Sequence, residues 1–229
     1  MERFTAIITR TVQETPQVMT LYFTVSGGVL PYVAGQYITV FFDHTNIKSG
    51  KAYSLSSSPS DNEMSITVKR IGLFSGLLCS LKRGDELRIS RPYGFFNTNT
   101  HKPIIAIAAG VGISPIWSMI RDEDVIARRP IKLLLSNKTR NDIVFRDAIA
   151  AYAERHHHID VRHFITREAS ELHHHITRRI DALKDIADHE LEHMFYVCGS
   201  SGFVGSIWRQ LQERGVHEDS IATETFFEA

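Results

Sequence analysis

Through residues 1–98 apolar and polar positions alternate in short runs, the period of strands buried on one face. The runs Phe4–Thr9, Val18–Val25, Tyr37–Phe42, Ser65–Lys69 and Leu87–Arg91 read as short strands. Turn-forming residues separate them: Gly27-Gly28, Ser49-Gly50, Ser60-Asp61-Asn62 and Arg83-Gly84-Asp85. Strands of this length and spacing predict a small antiparallel barrel or sandwich.

From Pro103 the period changes. Ile104–Ala109 is continuously apolar, as in a strand covered on both faces. A helical stretch from Pro115 to about Ala127 follows, then strand Ile131–Leu135, helix Ile143–Glu154 and strand Ile159–Ile165. Phe195–Cys198 is a further strand and Phe203–Arg214 a further helix. Alternating strands and helices predict a doubly wound parallel sheet, so the fold class is β followed by α/β. The polar stretch Asn97–Lys102, closed by Pro103, divides residues 1–98 from residues 99–229.

Composition narrows the function. The chain has 229 residues, with 26 basic and 26 acidic side chains and a formal net charge of zero. A nucleic-acid binder would show a basic excess. No basic-then-apolar run opens the sequence, so no signal peptide is expected, and no apolar stretch approaches a membrane span. Two cysteines, Cys79 and Cys198, fit a reducing cytoplasm and exclude an all-cysteine iron–sulfur cluster within one chain, which takes four ligands.

Two turns carry candidate chemistry. Gly110-Val111-Gly112-Ile113-Ser114-Pro115 connects a buried strand to a helix, and its glycines allow close approach of a phosphate or ribose. Pro115 suits a first helical position but stands where the common dinucleotide fingerprint has a third glycine. A tight connection without a ligand explains this turn nearly as well. Tyr196-Val197-Cys198-Gly199-Ser200-Ser201-Gly202 is a second strand-to-helix turn. Both would open on one crevice at the carboxyl ends of parallel strands.

Further motifs occur in a fixed order. Lys51-Ala52-Tyr53-Ser54 follows a strand, and Val68-Lys69-Arg70 precedes Gly72-Leu73-Phe74-Ser75. Pro92-Tyr93-Gly94-Phe95-Phe96 closes the first half, and Glu224-Thr225-Phe226-Phe227 lies near the end. Together with the two glycine turns, this order resembles the ferredoxin–NADP reductase-like superfamily of FAD/NAD(P)-binding oxidoreductases along nearly the whole chain. The resemblance implies an antiparallel β-barrel that binds FAD, residues 1–98, and an NAD(P)-binding α/β domain, residues 99–229. It implies that Tyr53 stacks on the flavin ring and that the Ser54 hydroxyl hydrogen-bonds near flavin N5. Val68, Lys69, Arg70 and Gly72 to Ser75 would cradle the diphosphate, with Lys51 and Ala52 alongside. Lys51 stands where the family usually has arginine, which keeps the charge but loses the bidentate fork and leaves FMN open beside FAD. Gly110, Val111, Gly112, Ser114, Pro115, Gly199 and Ser200 would hold the nicotinamide coenzyme, and Cys198 and Glu224 would flank the transferring ring. Ser54, Cys198 and Glu224 are thus the catalytic candidates.

Coenzyme and acceptor follow from charge. Ser136-Asn137-Lys138-Thr139-Arg140 ends a strand where dinucleotide domains read the adenosine ribose, and the first acid is Asp142. Ser136, Lys138 and Arg140 suit a 2′-phosphate, so NADPH is the expected coenzyme, with NADH possible. Lys48, Lys51, Lys69, Arg70, Lys82, Arg83, Arg88 and Arg91 give residues 48–91 a cationic excess. That excess fits docking of an acidic carrier such as ferredoxin or flavodoxin. The alternatives are a free-flavin reductase, the reductase component of an oxygenase system, and a flavin-binding module without turnover. His189-Glu190-Leu191-Glu192-His193 fits the zinc-protease pattern, but it runs straight into an apolar strand and no metal is expected. The triplets His156–His158 and His173–His175 read as surface loops.

Overall fold

The computed structural model describes residues 2–26, 28–42, 50–97, 100–126, 129–169 and 175–226. Gly27, Lys48, Ser49, Thr98, Asn99, Ala127, His173, His174 and Phe227, which figure in the sequence readings, lie outside the described residues.

The first half contains β1 (Arg3–Thr15), β2 (Val18–Val25), β3 (Tyr37–Phe41), β4 (Lys51–Ser54), β5 (Met64–Lys69), a short helix α1 (Leu73–Leu78) and β6 (Glu86–Ser90). Their antiparallel order is β4-β3-β6-β1-β2-β5. A bridge between Leu55 and Ile66 joins the two sheet edges and curls the sheet into a barrel. Alternate residues point inward, so Ala6, Ile8, Leu21, Phe23, Ile38, Val40, Ile66, Leu87 and Ile89 form the core. Helix α1 adds Phe74 and Leu78 to that core. β1 runs past its expected end at Thr9. A register shift between Ile8 and Arg10 breaks the alternation, and the polar run that follows still pairs with β2 out to Thr15↔Val18.

The second half contains β7 (Ile104–Ala109), α2 (Ile113–Ile126), β8 (Ile131–Asn137), α3 (Arg146–Arg155), β9 (Ile159–Ile165), β10 (His175–Ile176), α4 (Ala182–Asp185), β11 (Met194–Ser200), α5 (Ser201–Glu213) and β12 (Ile221–Phe226). The sheet is parallel, in order β10-β9-β8-β7-β11-β12. The chain steps outward from β7 through β8 and β9, then returns to place β11 on the other side of β7. The connections leaving β7 and β11 therefore lead to helices on opposite faces of the sheet, the position where open α/β sheets usually bind ligands. Ile104, Ala106 and Ala108 pack with α2 on one face, while Ile105 and Ile107 pack with α5 on the other.

Three local readings are corrected. α2 starts at Ile113, so Pro115 is its third residue, still among the first four whose N–H groups lack intrahelical partners. The helix expected from Ile143 starts at Arg146, because Ile143 and Val144 are buried in the core and Phe145 turns the chain in the left-handed region (φ 58°). β10, α4 and β12 carry no clear sequence signal, because the first two are very short and β12 alternates with exposed polar residues. Among the described residues no helix is long and apolar enough to cross a membrane.

The two halves are joined by polar contacts. Arg121 of α2 donates through Nη1 to both Asp61 oxygens, at 3.1 and 2.9 Å, and through Nη2 to the Ser56 carbonyl at 2.9 Å. Ser118 donates to the Ser57 carbonyl. Glu14 accepts from Thr20 Oγ1 at 2.8 Å and from the Phe145 N–H, and burial raises its pKa. The Arg121 and Ser118 bonds fix α2 to the segment that follows β4. Replacing Arg121 with Met strands Asp61 and the buried Ser56 carbonyl, at a cost on the order of 1–3 kcal/mol. Thermal unfolding of R121M should show a midpoint several degrees lower; an unchanged midpoint would mean the clamp carries no stability.

Candidate functional site

The site starts on β4. Register sets Tyr53 opposite Ile38 and Ser54 opposite Tyr37. The half-buried Tyr53 ring lies nearly parallel to that of Phe74, with centroids 6.3 Å apart and planes at 17°. Lys51 Nζ stands 5.8 Å from the Phe74 centroid. The segments Lys51–Ser54 and Gly72–Ser75 thus converge through Phe74. Burial pushes the Tyr53 hydroxyl well above its usual range, so it stays protonated.

The loop before α1 is partly folded on itself. Ser75 Oγ accepts from the N–H groups of Ile71 (3.0 Å) and Gly72 (3.1 Å). Arg70 Nη2 turns toward the Cys79 carbonyl at 3.2 Å. Val68 is buried and Lys69 half-buried, while Ala52, Arg70, Gly72 and Leu73 are exposed. A side chain at Gly72 would project into open space. The flat face of Tyr53, the exposed Lys51 ammonium and the open backbone at Gly72 fit a flavin carrying a diphosphate.

The opposing side comes from the parallel sheet. Cys198 of β11 lies between Ala108 of β7 and Glu224 of β12. Glu224 reaches across the seam, and the Ser54 hydroxyl donates to its Oε1. Three segments far apart in sequence therefore bring Ser54, Cys198 and Glu224 together. Burial raises the Glu224 carboxyl above the ordinary 4.5, and the bond from Ser54 opposes this only in part. Burial, then the neighbouring Glu224 charge, pushes the fully buried Cys198 thiol well up, so it is not a nucleophile.

The glycine turns touch. A Cβ on Gly112 would lie 2.5 Å from the Cys198 carbonyl oxygen, so only glycine lets the two turns approach this closely. Gly110 takes φ 52°, Ser114 Oγ donates to the Val111 carbonyl at 2.7 Å, and Pro115 is buried in the first turn of α2. Gly199 is buried and Ser200 precedes α5. On the other side of Gly110, Ser136 pairs with Ala109, and Lys138 and Arg140 are exposed just beyond. The carboxyl ends of β8, β7, β11 and β12 stand side by side in the sheet, and the last of them reaches Ser54 through Glu224.

Sequence reasoning missed several residues. Arg121 and Ser118 grip the chain after Ser54 from about sixty residues away, and no local signal marks them. Glu168, from the segment after β9, binds Arg140: its Oε1 accepts from Arg140 Nε at 2.9 Å and its Oε2 from the Arg140 N–H at 2.8 Å. The acceptor expectation is narrowed by register. Lys82 and Arg83 precede the start of β6, whereas the Ser54 end of the barrel is the end of β6, near Arg91 and Tyr93. The zinc-like pattern is not on an α-helix: residues Asp188–Glu190 form a single 3-10 turn, and Glu190 is held by Lys132 Nζ at 2.8 Å. Among the described residues no three potential ligands cluster around a metal position. His157 is exposed, His156 and His158 half-buried, and His175 pairs with His163.

Tyr53→Ala should weaken FAD binding by about 1–3 kcal/mol, measured by flavin titration, if the ring stacks there; wild-type affinity would remove that role. The raised Glu224 carboxyl favours the protonated native state, so its contribution to stability is present at low pH and lost as pH rises through the folded value. Glu224→Gln should therefore gain stability relative to wild type as pH rises above the 4.5 of an ordinary Glu. Thermal midpoints of both proteins across pH check this, and a difference that is flat or shrinks with pH would contradict it.

Comparison with known proteins agrees with this geometry. Residues 6–98 match the oxidoreductase FAD-binding domain family and residues 106–208 the oxidoreductase NAD-binding domain family. A flavohemoprotein of Deinococcus radiodurans is 30% identical over 88% of this chain and 53% of its own length. A glycine betaine monooxygenase reductase subunit of Pseudomonas aeruginosa is 28% identical over 95% of this chain and 62% of its own length. The chain thus spans about half the length of the curated relatives it matches. The FAD/NAD-binding domain of nitric oxide dioxygenase from Vibrio cholerae superposes with a TM-score of 0.89 at 24% identity, covering 97% of this chain and 98% of that one.

Proposed function

The chain belongs to the ferredoxin–NADP reductase-like superfamily of FAD- and NAD(P)-binding oxidoreductases, and from that premise we propose that it moves electrons from a reduced nicotinamide dinucleotide, through FAD, to a separate redox protein. The observation that carries this reading is the bond from Ser54 to Glu224, which sets the barrel's candidate flavin wall against the mouth of the dinucleotide crevice. Residues 1–98 form the flavin domain and residues 99–229 the nicotinamide domain. FAD, when bound, supplies a hydride acceptor that can release electrons onward.

The chain's own residues supply position and a proton. Tyr53 covers the flavin face, and Lys51, Lys69 and the loop Gly72–Ser75 take the diphosphate. Gly110, Val111, Gly112, Ser114 and Pro115 let the dinucleotide pyrophosphate sit against the start of α2. Gly199, Ser200 and the small, uncharged Cys198 leave room for the nicotinamide ring. Glu224, whose carboxyl is raised above the ordinary range by burial, accepts the hydrogen bond from Ser54 and is the group at the seam that exchanges a proton. Ser136, Lys138 and Arg140 meet the adenosine end of either NADH or NADPH. The acceptor is a one-electron carrier of the ferredoxin or flavodoxin kind, and the similarity to an oxygenase reductase subunit supports a protein acceptor.

Anaerobic addition of NADH or NADPH to the FAD-loaded protein tests the reading. One equivalent should bleach about one flavin, and Glu224→Ala should slow the bleaching without preventing FAD binding. A bound flavin that stays oxidised with both coenzymes would make this a binding module. A colourless protein that reduces added FMN or riboflavin would make it a free-flavin reductase.

A further inference from the structure

The sequence places no acid before Asp142 at the adenosine end of the crevice, and Asp142 is turned inward, accepting from the Thr139 N–H at 3.0 Å and the Thr139 hydroxyl at 2.8 Å. The fold brings a different acid. Beyond the paired strands β8 and β9, the Thr166 N–H donates to the Asn137 carbonyl at 3.0 Å and the Arg167 N–H to the Lys138 carbonyl at 2.8 Å. This ladder sets Glu168 beside residues 138–140, where one carboxylate oxygen takes the Arg140 guanidinium and the other its backbone N–H. Arg140 is therefore charge-compensated before any coenzyme arrives. An exposed ion pair of this kind is weak by itself, and a phosphate could draw the guanidinium away. The bond from the Arg140 N–H does not depend on that side chain, so the carboxylate stays in place, and its hydrogen bonds from Arg140 keep it ionised.

We propose that Glu168 is a specificity-determining residue that weights the coenzyme site toward a free 2′-hydroxyl, that is, toward NADH over NADPH; this rests on the oxidoreductase reading above. A 2′-phosphate entering beside Ser136 and Lys138 meets a fixed negative charge, and of the two cations only Lys138 has no acidic partner recorded among the described residues. A ribose hydroxyl meets an acceptor instead. Because the adenosine end is remote from Ser54 and Glu224, the discrimination acts on binding, through KM, and leaves kcat nearly equal for the two coenzymes.

The test is the ratio of kcat/KM for NADPH to that for NADH in wild type, Glu168→Gln and Glu168→Ala. Gln keeps the acceptor for the Arg140 N–H and removes the charge. The ratio should rise roughly tenfold or more in both variants, as relief of a like-charge contact requires, and the change should lie in KM. In wild type, 5′-AMP should inhibit more tightly than adenosine 2′,5′-bisphosphate, and this needs no variant to fold. An unchanged ratio in Glu168→Gln with normal flavin content, or tighter inhibition by the bisphosphate in wild type, overturns the role of Glu168. Failure of wild type to oxidise either coenzyme overturns the oxidoreductase reading itself.

Discussion

The hydrogen bond from Ser54 to Glu224 is the contact on which the rest of the structure turns. One partner ends a barrel strand, and the other stands on the outermost strand of the parallel sheet. The bond exists only when two independently cored halves meet at one relative orientation. It is partly shielded from water, which raises the Glu224 carboxyl and lets a proton reside where an ordinary surface glutamate would be ionised.

Two sets of contacts hold that orientation. Arg121 and Ser118 tie α2 to the backbone after β4, so the helix whose first turn faces the dinucleotide crevice is bound to the strand carrying Tyr53 and Ser54. Gly112 packs against the Cys198 carbonyl, so the two turns lining the crevice cannot separate without breaking contact. Rigidity of this kind matters for hydride transfer. The reacting atoms must approach to roughly 3–3.5 Å, and a displacement of about 1 Å can cost about a hundredfold in rate. Acid–base power at the seam is modest by comparison: one carboxyl, one hydroxyl and an inert thiol.

Much of this was legible in the sequence because the informative features were local. Strand alternation gave the barrel, and the unbroken run Ile104–Ala109 gave the buried parallel strand. Of the quoted motifs, Tyr53 packs beside Phe74, Ser54 meets Glu224, and the two glycine turns touch each other. What escaped was non-local or irregular. The strand β1 continued through a register shift that broke its alternation, and α3 started late because Phe145 adopts a left-handed turn. Glu168 lies 28 residues from Arg140, and only the β8–β9 ladder brings them together. Lys82 and Arg83 looked like part of one cationic face, yet strand direction sets them at the far end of the barrel from Ser54.

The most direct test of the account is a crystal structure of the FAD-loaded protein. It should show the flavin ring stacked on Tyr53, with its reactive edge at the seam between Ser54 and Glu224 and its diphosphate at Lys51 and Gly72–Ser75. A flavin ring bound away from Tyr53, with the bond between Ser54 and Glu224 undisturbed and no ring beside it, would contradict the assignment of that seam as the place where the two cofactors meet.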